Sequence, residues 1–182
     1  MKSVFAATAI ALTLSTSAFS ATIEGAEAVG GVVHFTGFIT DSTCAVNGQD
    51  NPFNESLDLG TYLKTDFSGK GDVSTSVPLN LSLTDCPESV TGVSLRVTST
   101  EGPDGEDNKD YAITEGSAAG VAIRLNDDEG QPIAYGEESK TWEVTGGAAD
   151  VVVEAQYVAT VAGDAMTAGN ANLDATFAIN YK

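Results

Sequence analysis

The sequence Gly169-Asn-Ala-Asn-Leu-Asp-Ala-Thr-Phe-Ala-Ile-Asn-Tyr-Lys182 alternates apolar and polar side chains without a break. A period of two is typical of a β-strand that buries one face. The apolar positions on that face are Ala171, Leu173, Ala175, Phe177, Ile179 and Tyr181. Because the alternation continues to Lys182, we expect the edge of this strand to be covered by an earlier segment of the chain or by another molecule.

Five other stretches of the chain show the same alternation. They are residues 33–39, 77–83, 93–97, 121–125 and 151–159. Runs rich in Gly, Asn, Asp and Pro separate them, and no window has a helical period. The sequence therefore predicts one all-β sandwich, with a solvated loop at residues 104–110 and a hairpin turn at residues 126–130.

The first twenty residues have the features of a secretory signal peptide. Lys2 precedes a short apolar run, and small residues end in Ala18-Phe-Ser20. The apolar run is too short for a membrane anchor and is interrupted by Thr and Ser. We predict cleavage before Ala21 and export of the remaining chain.

The net charge of the chain limits the kinds of partner that we expect. The chain has 26 acidic and 8 basic residues, a formal net charge of −18. A charge of this sign disfavours nucleic acid and anionic membrane as partners, and it keeps molecules apart and soluble.

The two cysteines of the sequence are Cys44 and Cys86. In an exported chain, one structural disulfide is the default expectation. Closing a loop of this length stabilises a fold by about 4 kcal/mol in the chain-entropy account. A redox pair is the weaker alternative, because the cysteines are not in a C-x-x-C arrangement.

The glycine-rich segment before the first predicted strand admits two interpretations. It is a flexible tail by default. In steps of two, however, one face carries Ile23, Gly25, Val29, Gly31, Val33 and Phe35, and only Glu27 breaks its apolar character. Such a segment can become an extended strand where a groove is offered to it.

Several motifs, in order along the chain, resemble the major subunits of chaperone–usher fimbriae of the type 1 kind. They are Gly30-Gly-Val-Val-His-Phe35, Cys44-Ala-Val-Asn47, Leu83-Thr-Asp-Cys86, Tyr157-Val-Ala-Thr160, and Gly169 with the penultimate Tyr181. The resemblance implies an immunoglobulin-like β-sandwich that lacks its final strand and is completed by donor-strand complementation. It also implies three regions: a signal peptide at 1–20, a donor-strand extension at 21–36, and an incomplete pilin domain at 37–182.

The resemblance assigns two sets of site residues. The donor strand consists of Ile23, Gly25, Val29, Gly31, Val33 and Phe35. The acceptor groove and chaperone-binding strand consist of Gly169, Leu173, Ala175, Phe177, Ile179 and Tyr181. Gly31, or else Gly25, is the expected match to a constricted pocket in the groove, and the carboxylate of Lys182 is expected to meet basic residues of the chaperone.

The partners implied are neighbouring copies of the chain, a periplasmic chaperone, an outer-membrane usher, and tip or adaptor subunits. The implied function is that of a structural subunit of a surface fimbria that supports cell adhesion, reached by export through the periplasm. A minor adaptor or terminator subunit and a secreted, monomeric β-sandwich binding module remain as alternatives.

Residues for enzyme or metal chemistry are sparse. His34 is the single histidine, so the sequence cannot assemble a Ser/His/Asp nucleophile or a histidine metal cluster. The acidic loops lack the spacing of a calcium loop. Trp142 is the single tryptophan, and we expect it to pack on a strand. We predict no enzyme activity, no cofactor and no metal.

Overall fold

The computed structural model describes residues 43–47, 55–114 and 118–182, all of which lie within one compact unit, residues 37–182. Nine strands occur in these ranges. They are β1 (Ala45–Val46), β2 (Val77–Thr84), β3 (Gly92–Ser99), β4 (Pro103–Asp104), β5 (Asp110–Ala112), β6 (Val121–Asp127), β7 (Glu138–Glu143), β8 (Ala149–Ala159) and β9 (Ala175–Tyr181). Two short 3-10 helices lie between strands: Lys64–Asp66 between β1 and β2, and Gly163–Ala165 between β8 and β9. Within the same ranges, no helix has the length and apolar character needed to cross a membrane.

The strands form two antiparallel sheets. One has six strands in the order β1-β2-β8-β6-β5-β4, and the other has three in the order β7-β3-β9. Each sheet buries one face against the other, because its strands alternate apolar and polar residues. The all-β sandwich predicted from the sequence is confirmed.

The core lies between these two faces. Val93, Leu95 and Val97 of β3 are fully buried, and so is Leu83 of β2. Tyr111 of β5 is also fully buried, and its hydroxyl donates a hydrogen bond to the carbonyl oxygen of Ile133 at 2.9 Å. Burial raises the pKa of this tyrosine, which therefore stays neutral inside the sandwich.

The disulfide predicted between Cys44 and Cys86 is present, with the two Cα atoms 4.3 Å apart. It links the residue before β1 to a residue just after β2, and β1 pairs with β2 through Ala45 and Thr84. Both sulfurs belong to the buried core. The bridge therefore holds the short edge strand β1 on the six-stranded sheet.

The strands predicted at 77–83, 93–97, 121–125 and 151–159 are confirmed as β2, β3, β6 and β8. The first predicted strand, residues 33–39, lies outside the described residues. The last strand is shorter than its alternation, since β9 begins only at Ala175. Just before it, the carbonyl oxygens of Asn170 and Asn172 accept hydrogen bonds from residues 118 and 114. That segment therefore bonds to Thr114 and Ala118 instead of continuing along β3.

The predictions made for the two acidic loops have different outcomes. The hairpin turn after β6 is confirmed, and one carboxylate oxygen of Asp127 accepts hydrogen bonds from the backbone N–H groups of Glu129 and Gln131. Residues 104–110 are not simply a solvated loop, because β4 and β5 pair around them. Asp110 forms a two-pronged ion pair with Arg124 of β6 at 2.6 and 2.9 Å, which ties this hairpin to the sheet.

Trp142 packs on a strand as predicted: it lies in β7 and is only 7% exposed. Its indole N–H donates to Asp128 at 3.0 Å, and the Lys140 ammonium lies 5.5 Å from the ring centroid. Hydrogen bonds from Lys140 to Asp128 and Glu129 raise the pKa of the ammonium to about 12. These contacts connect β7 to the turn that follows β6.

Gly163 lies where two backbone segments meet. A β-carbon at this position would clash with the carbonyl oxygens of Lys64 and Phe67. The Lys64 ammonium donates to the carbonyl oxygen of Met166 at 3.0 Å and holds the same two segments together. Only glycine permits this close approach.

Candidate functional site: an apolar groove beside the last strand

A groove of about 810 Å³ runs between β9 and the inner face of the six-stranded sheet. Its floor is made of side chains from β2, β6 and β8. These are Leu79, Ile123, Leu125, Val153, Ala155 and Tyr157. The groove is therefore a gap in the layer where the two sheets of a sandwich would otherwise pack together.

The first wall of the groove is β9 and the residues before it. This wall presents Ala171, Leu173, Ala175, Phe177, Ile179 and Tyr181. All six are half-buried, whereas Asn172, Asp174, Thr176 and Ala178 between them are exposed. The alternation seen in the sequence therefore sets one apolar face of this segment along the groove.

The position of β9 in its sheet defines the open side of this wall. β9 is an end strand of the three-stranded sheet and pairs with β3 over seven residue pairs, from Val93↔Tyr181 to Ser99↔Ala175. Its apolar side chains thus line a groove at the margin of the sandwich.

A second wall comes from residues 55–59, a segment without strand pairing. Leu59 packs against the main core, and Leu57 is 37% exposed. The carboxylate of Asp58 accepts a hydrogen bond from the backbone N–H of Gly60 at 2.9 Å and turns the chain away. Sequence analysis missed this wall, although the alternation of Leu57 and Leu59 is a weak strand signal.

Tyr157 fixes the start of the β9 wall. Its hydroxyl donates to the carbonyl oxygen of Ala171 at 3.1 Å, and its ring packs edge-on against Tyr62 with centroids 5.9 Å apart. Burial, with a further contribution from the negative charge of Asp58, raises the pKa of Tyr157. The hydroxyl therefore remains a donor across the physiological pH range.

The other end of β9 is fixed by Lys182. Its carbonyl oxygen accepts from the Thr91 N–H, and its own N–H donates to the carbonyl oxygen of Gly92, both at 2.8 Å. Its ammonium forms an ion pair with Glu138 of β7, which also accepts from the hydroxyl of Ser94. The hydrogen bond from Lys182, followed by the one from Ser94, lowers the pKa of Glu138. Lys182 thus contacts both other strands of its sheet, β3 through Gly92 and β7 through Glu138.

One polar group of the wall stands out. The hydroxyl oxygen of Tyr181 is buried and has no hydrogen-bond partner among the residues that the structure describes. Buried polar groups are normally paired, since leaving one unpaired costs about 1–3 kcal/mol.

The structure brings five of the six predicted acceptor residues together on this groove: Leu173, Ala175, Phe177, Ile179 and Tyr181. Gly169 is exposed, precedes β9, and is not one of the lining residues. The six predicted donor residues, from Ile23 to Phe35, and also His34 lie outside the described residues. In the part of the chain that the structure describes, no group of three or more His, Cys, Asp or Glu side chains could hold a metal ion.

Comparison with known proteins identifies the family. The family described as "Fimbrial protein" matches residues 33–182. The chain is 34% identical to the type-1 fimbrial protein, C chain, of Escherichia coli over 84% of each sequence. It is 31% identical to long polar fimbria protein A of Salmonella typhimurium, over all of this chain and 97% of that one.

The fold is similar to that of solved fimbrial subunits. The P pilus rod subunit PapA superposes with a TM-score of 0.62 at 21% identity, over 78% of this chain and all of that one. The sandwich is thus the immunoglobulin-like fold of chaperone–usher pilins. The chain belongs to the fimbrial protein family, whose members are structural subunits of surface fimbriae and not enzymes. The predicted family, its non-enzymatic nature and its cell-surface destination are confirmed.

Proposed function

We propose that this fimbrial subunit polymerises by donor-strand exchange, with residues 21–36 of one copy filling the groove of the next. The observation that carries the proposal is the 810 Å³ groove lined by the apolar face of an end strand. Head-to-tail contacts of this kind do not close into a ring, so they build a filament.

The chemistry of the groove suits a strand. A water occupies about 30 Å³ in the liquid, so water filling this groove would wet a long row of apolar side chains. An incoming strand places alternate side chains into the gap and forms backbone hydrogen bonds along the edge. Each Val, Ile or Phe that it buries is favourable by about 1.5–3 kcal/mol.

The sequence offers a segment with the required pattern. Residues 21–36 carry apolar or glycine residues at every second position except Glu27. Export of the subunit would require the signal peptide at 1–20, and the assembling domain would begin near residue 37.

Before assembly, the same groove would be occupied by a strand from a periplasmic chaperone. An outer-membrane usher would then exchange that strand for the extension of the next subunit, and tip or adaptor subunits would cap the filament. The filament would support cell adhesion. A monomeric binding module with a self-completed fold suits the structure less well, because such a fold would fill the apolar gap between its sheets with its own side chains.

The polymer is tested by shearing filaments from the cell surface and running them in detergent without heating. We expect a ladder of multimers that collapses to monomer on heating. The contact between the donor strand of one subunit and the groove of the next, called the joint below, would be non-covalent and very stable. A clean monomer in unheated detergent would exclude donor-strand exchange.

The donor segment is tested by deleting residues 21–31. The truncated subunit should still be recovered with the chaperone, because its groove is intact, but it should not extend a fibre. Fibre growth at the normal rate from this variant would show that the donor strand lies elsewhere.

A further inference from the structure

We infer that Asn47 is a positioning residue for the groove, because it holds the second wall, residues 55–59, in place opposite β9. This inference rests on the proposed donor-strand exchange and concerns a residue outside both predicted sets of site residues. The features that carry it are the hydrogen bonds of Asn47 and the scarcity of other bonds to this wall.

The two walls of the groove are held in different ways. β9 pairs with β3 over seven residue pairs and is fixed at both ends. The second wall pairs with no strand in the described ranges, and Leu59 packs against the core at one end of it. At the other end, the carboxylate of Glu55 accepts a hydrogen bond from Nδ2 of Asn47 at 3.3 Å. Among the residues that the structure describes, this is the only hydrogen bond that joins residues 55–60 to another part of the domain.

Asn47 is itself fixed on the six-stranded sheet. Its N–H donates to the carbonyl oxygen of Ser82, and its Oδ1 accepts from the N–H of Ser82, both at 2.8 Å. It directly follows β1, which the disulfide at Cys44 holds on the sheet. Its φ of 49° lies in the left-handed region, which asparagine adopts more readily than most residues. The side-chain amide is therefore presented to Glu55 from a fixed position.

The width of the groove depends on this contact. Glu55, Leu57 and Leu59 all line the groove, so a shift of their segment changes the gap that faces β9. Without the bond from Asn47, the wall is held at Leu59 alone. A small gap between apolar surfaces already forfeits much of the dispersion attraction between them. A displaced wall should therefore bind an incoming strand less tightly and shorten the lifetime of the joint.

One substitution reverses the contact with little other change. Asn47→Asp retains an acceptor for the N–H of Ser82 and a residue type that tolerates positive φ, but it places a second carboxylate beside Glu55. In filaments of the full chain, the joint should dissociate in detergent about ten-fold faster, because a like-charge contact replaces a hydrogen bond to a charged group. The rate is measured as the decay of the multimer ladder at a fixed temperature.

A second substitution should restore the contact with donor and acceptor exchanged. In Asn47→Asp with Glu55→Gln, the new amide at position 55 can donate to the carboxylate at position 47, so the rate should return to within about two-fold of the unmodified protein. Glu55→Gln alone keeps an acceptor for the Asn47 amide and should stay in the same range. Equal acceleration by Asn47→Asp with either residue at position 55 would refute the contact.

A matched control separates positioning from a loss of domain stability. Ser76→Ala removes a hydrogen bond from the Ser76 hydroxyl to the carboxylate of Glu154 at 2.6 Å, and neither residue lines the groove. The joint of this variant should dissociate at the unmodified rate. If Ser76→Ala accelerates dissociation as much as Asn47→Asp does, the rate follows general stability, and the positioning role is wrong.

The outcomes also distinguish this inference from donor-strand exchange itself. A ladder of normal lifetime from Asn47→Asp would overturn the role of Asn47 and leave the polymer intact. The absence of a ladder from the unmodified protein would overturn donor-strand exchange, and the positioning role with it.

Discussion

A single charge placed on the groove wall should abolish filament formation. Ile179 is half-buried on β9 and lines the groove, whereas Ala178 is exposed and is not one of the lining residues. The informative pair of variants is therefore Ile179→Asp and Ala178→Asp. Both add one carboxylate to β9, so both change the net charge of the subunit equally.

The expected effect on the joint follows from burial. Ile179→Asp removes an apolar side chain that contributes about 1.5–3 kcal/mol when a donor strand covers it. It also places an unpaired carboxylate in a covered gap, which costs several kcal/mol more. A total above about 4 kcal/mol weakens the joint roughly a thousand-fold, since each 1.4 kcal/mol is a factor of ten. Ala178→Asp leaves its carboxylate in water and should change the joint by less than about 0.5 kcal/mol.

The assay is the yield and length of the multimer ladder from cells that express each variant. Ile179→Asp should leave little or no ladder, and Ala178→Asp should match the unmodified protein. Formation of the Cys44–Cys86 bridge in the recovered subunit separates failure to assemble from failure to fold. A normal ladder from Ile179→Asp would contradict the assignment of this face as the joint.

Three further outcomes concern the domain itself. Replacing Cys44 and Cys86 together by alanine should lower the free energy of unfolding by about 4 kcal/mol, measured by urea denaturation, and a loss below about 1 kcal/mol would contradict the loop-closure account. Gly163→Ala should lower the melting temperature through its clash with two backbone oxygens, whereas Gly69→Ala, where a β-carbon meets nothing within 4 Å, should not; equal melting temperatures would show that the backbone relaxes at no cost. Because its carboxylate partners raise the pKa of Lys140 to about 12, its contribution to stability is complete below pH 10.5 and is lost as the pH rises through about 12. Unfolding curves of the unmodified protein and of Lys140→Met should therefore converge over that interval, and a constant difference would contradict the ion-pair assignment.

Much of the fold follows from local pattern. The alternation from Ala171 to Tyr181 predicts both a strand and the identity of its inward face, because side chains alternate across a pleated backbone whatever the strand pairs with. The beginning of β9 could not be predicted in the same way. It depends on where the carbonyl oxygens of Asn170 and Asn172 find donors, and those donors come from a distant connection.

β7 is a strand that the local sequence pattern hardly indicates. Glu138–Glu143 has little apolar alternation, and Trp142 alone pointed to a strand. The segment is a strand because β3 offers it backbone partners, a tertiary reason that the local sequence does not display. Only part of the groove could be predicted. Its β9 wall follows from the alternation of that strand, whereas the wall at residues 55–59 has no strand pairing and only two apolar residues, Leu57 and Leu59.

Fixation of β9 at both ends has a mechanical consequence. Lys182 bonds to Thr91 and Gly92 at one end, the Tyr157 hydroxyl holds Ala171 near the other, and seven residue pairs join β9 to β3 between them. If neighbouring subunits are joined along this strand, tension on the filament runs parallel to it. The load is then shared by many hydrogen bonds in shear, and none can be pulled open singly from a frayed end. The subunit would resist stretching most strongly along the axis on which a surface filament is pulled.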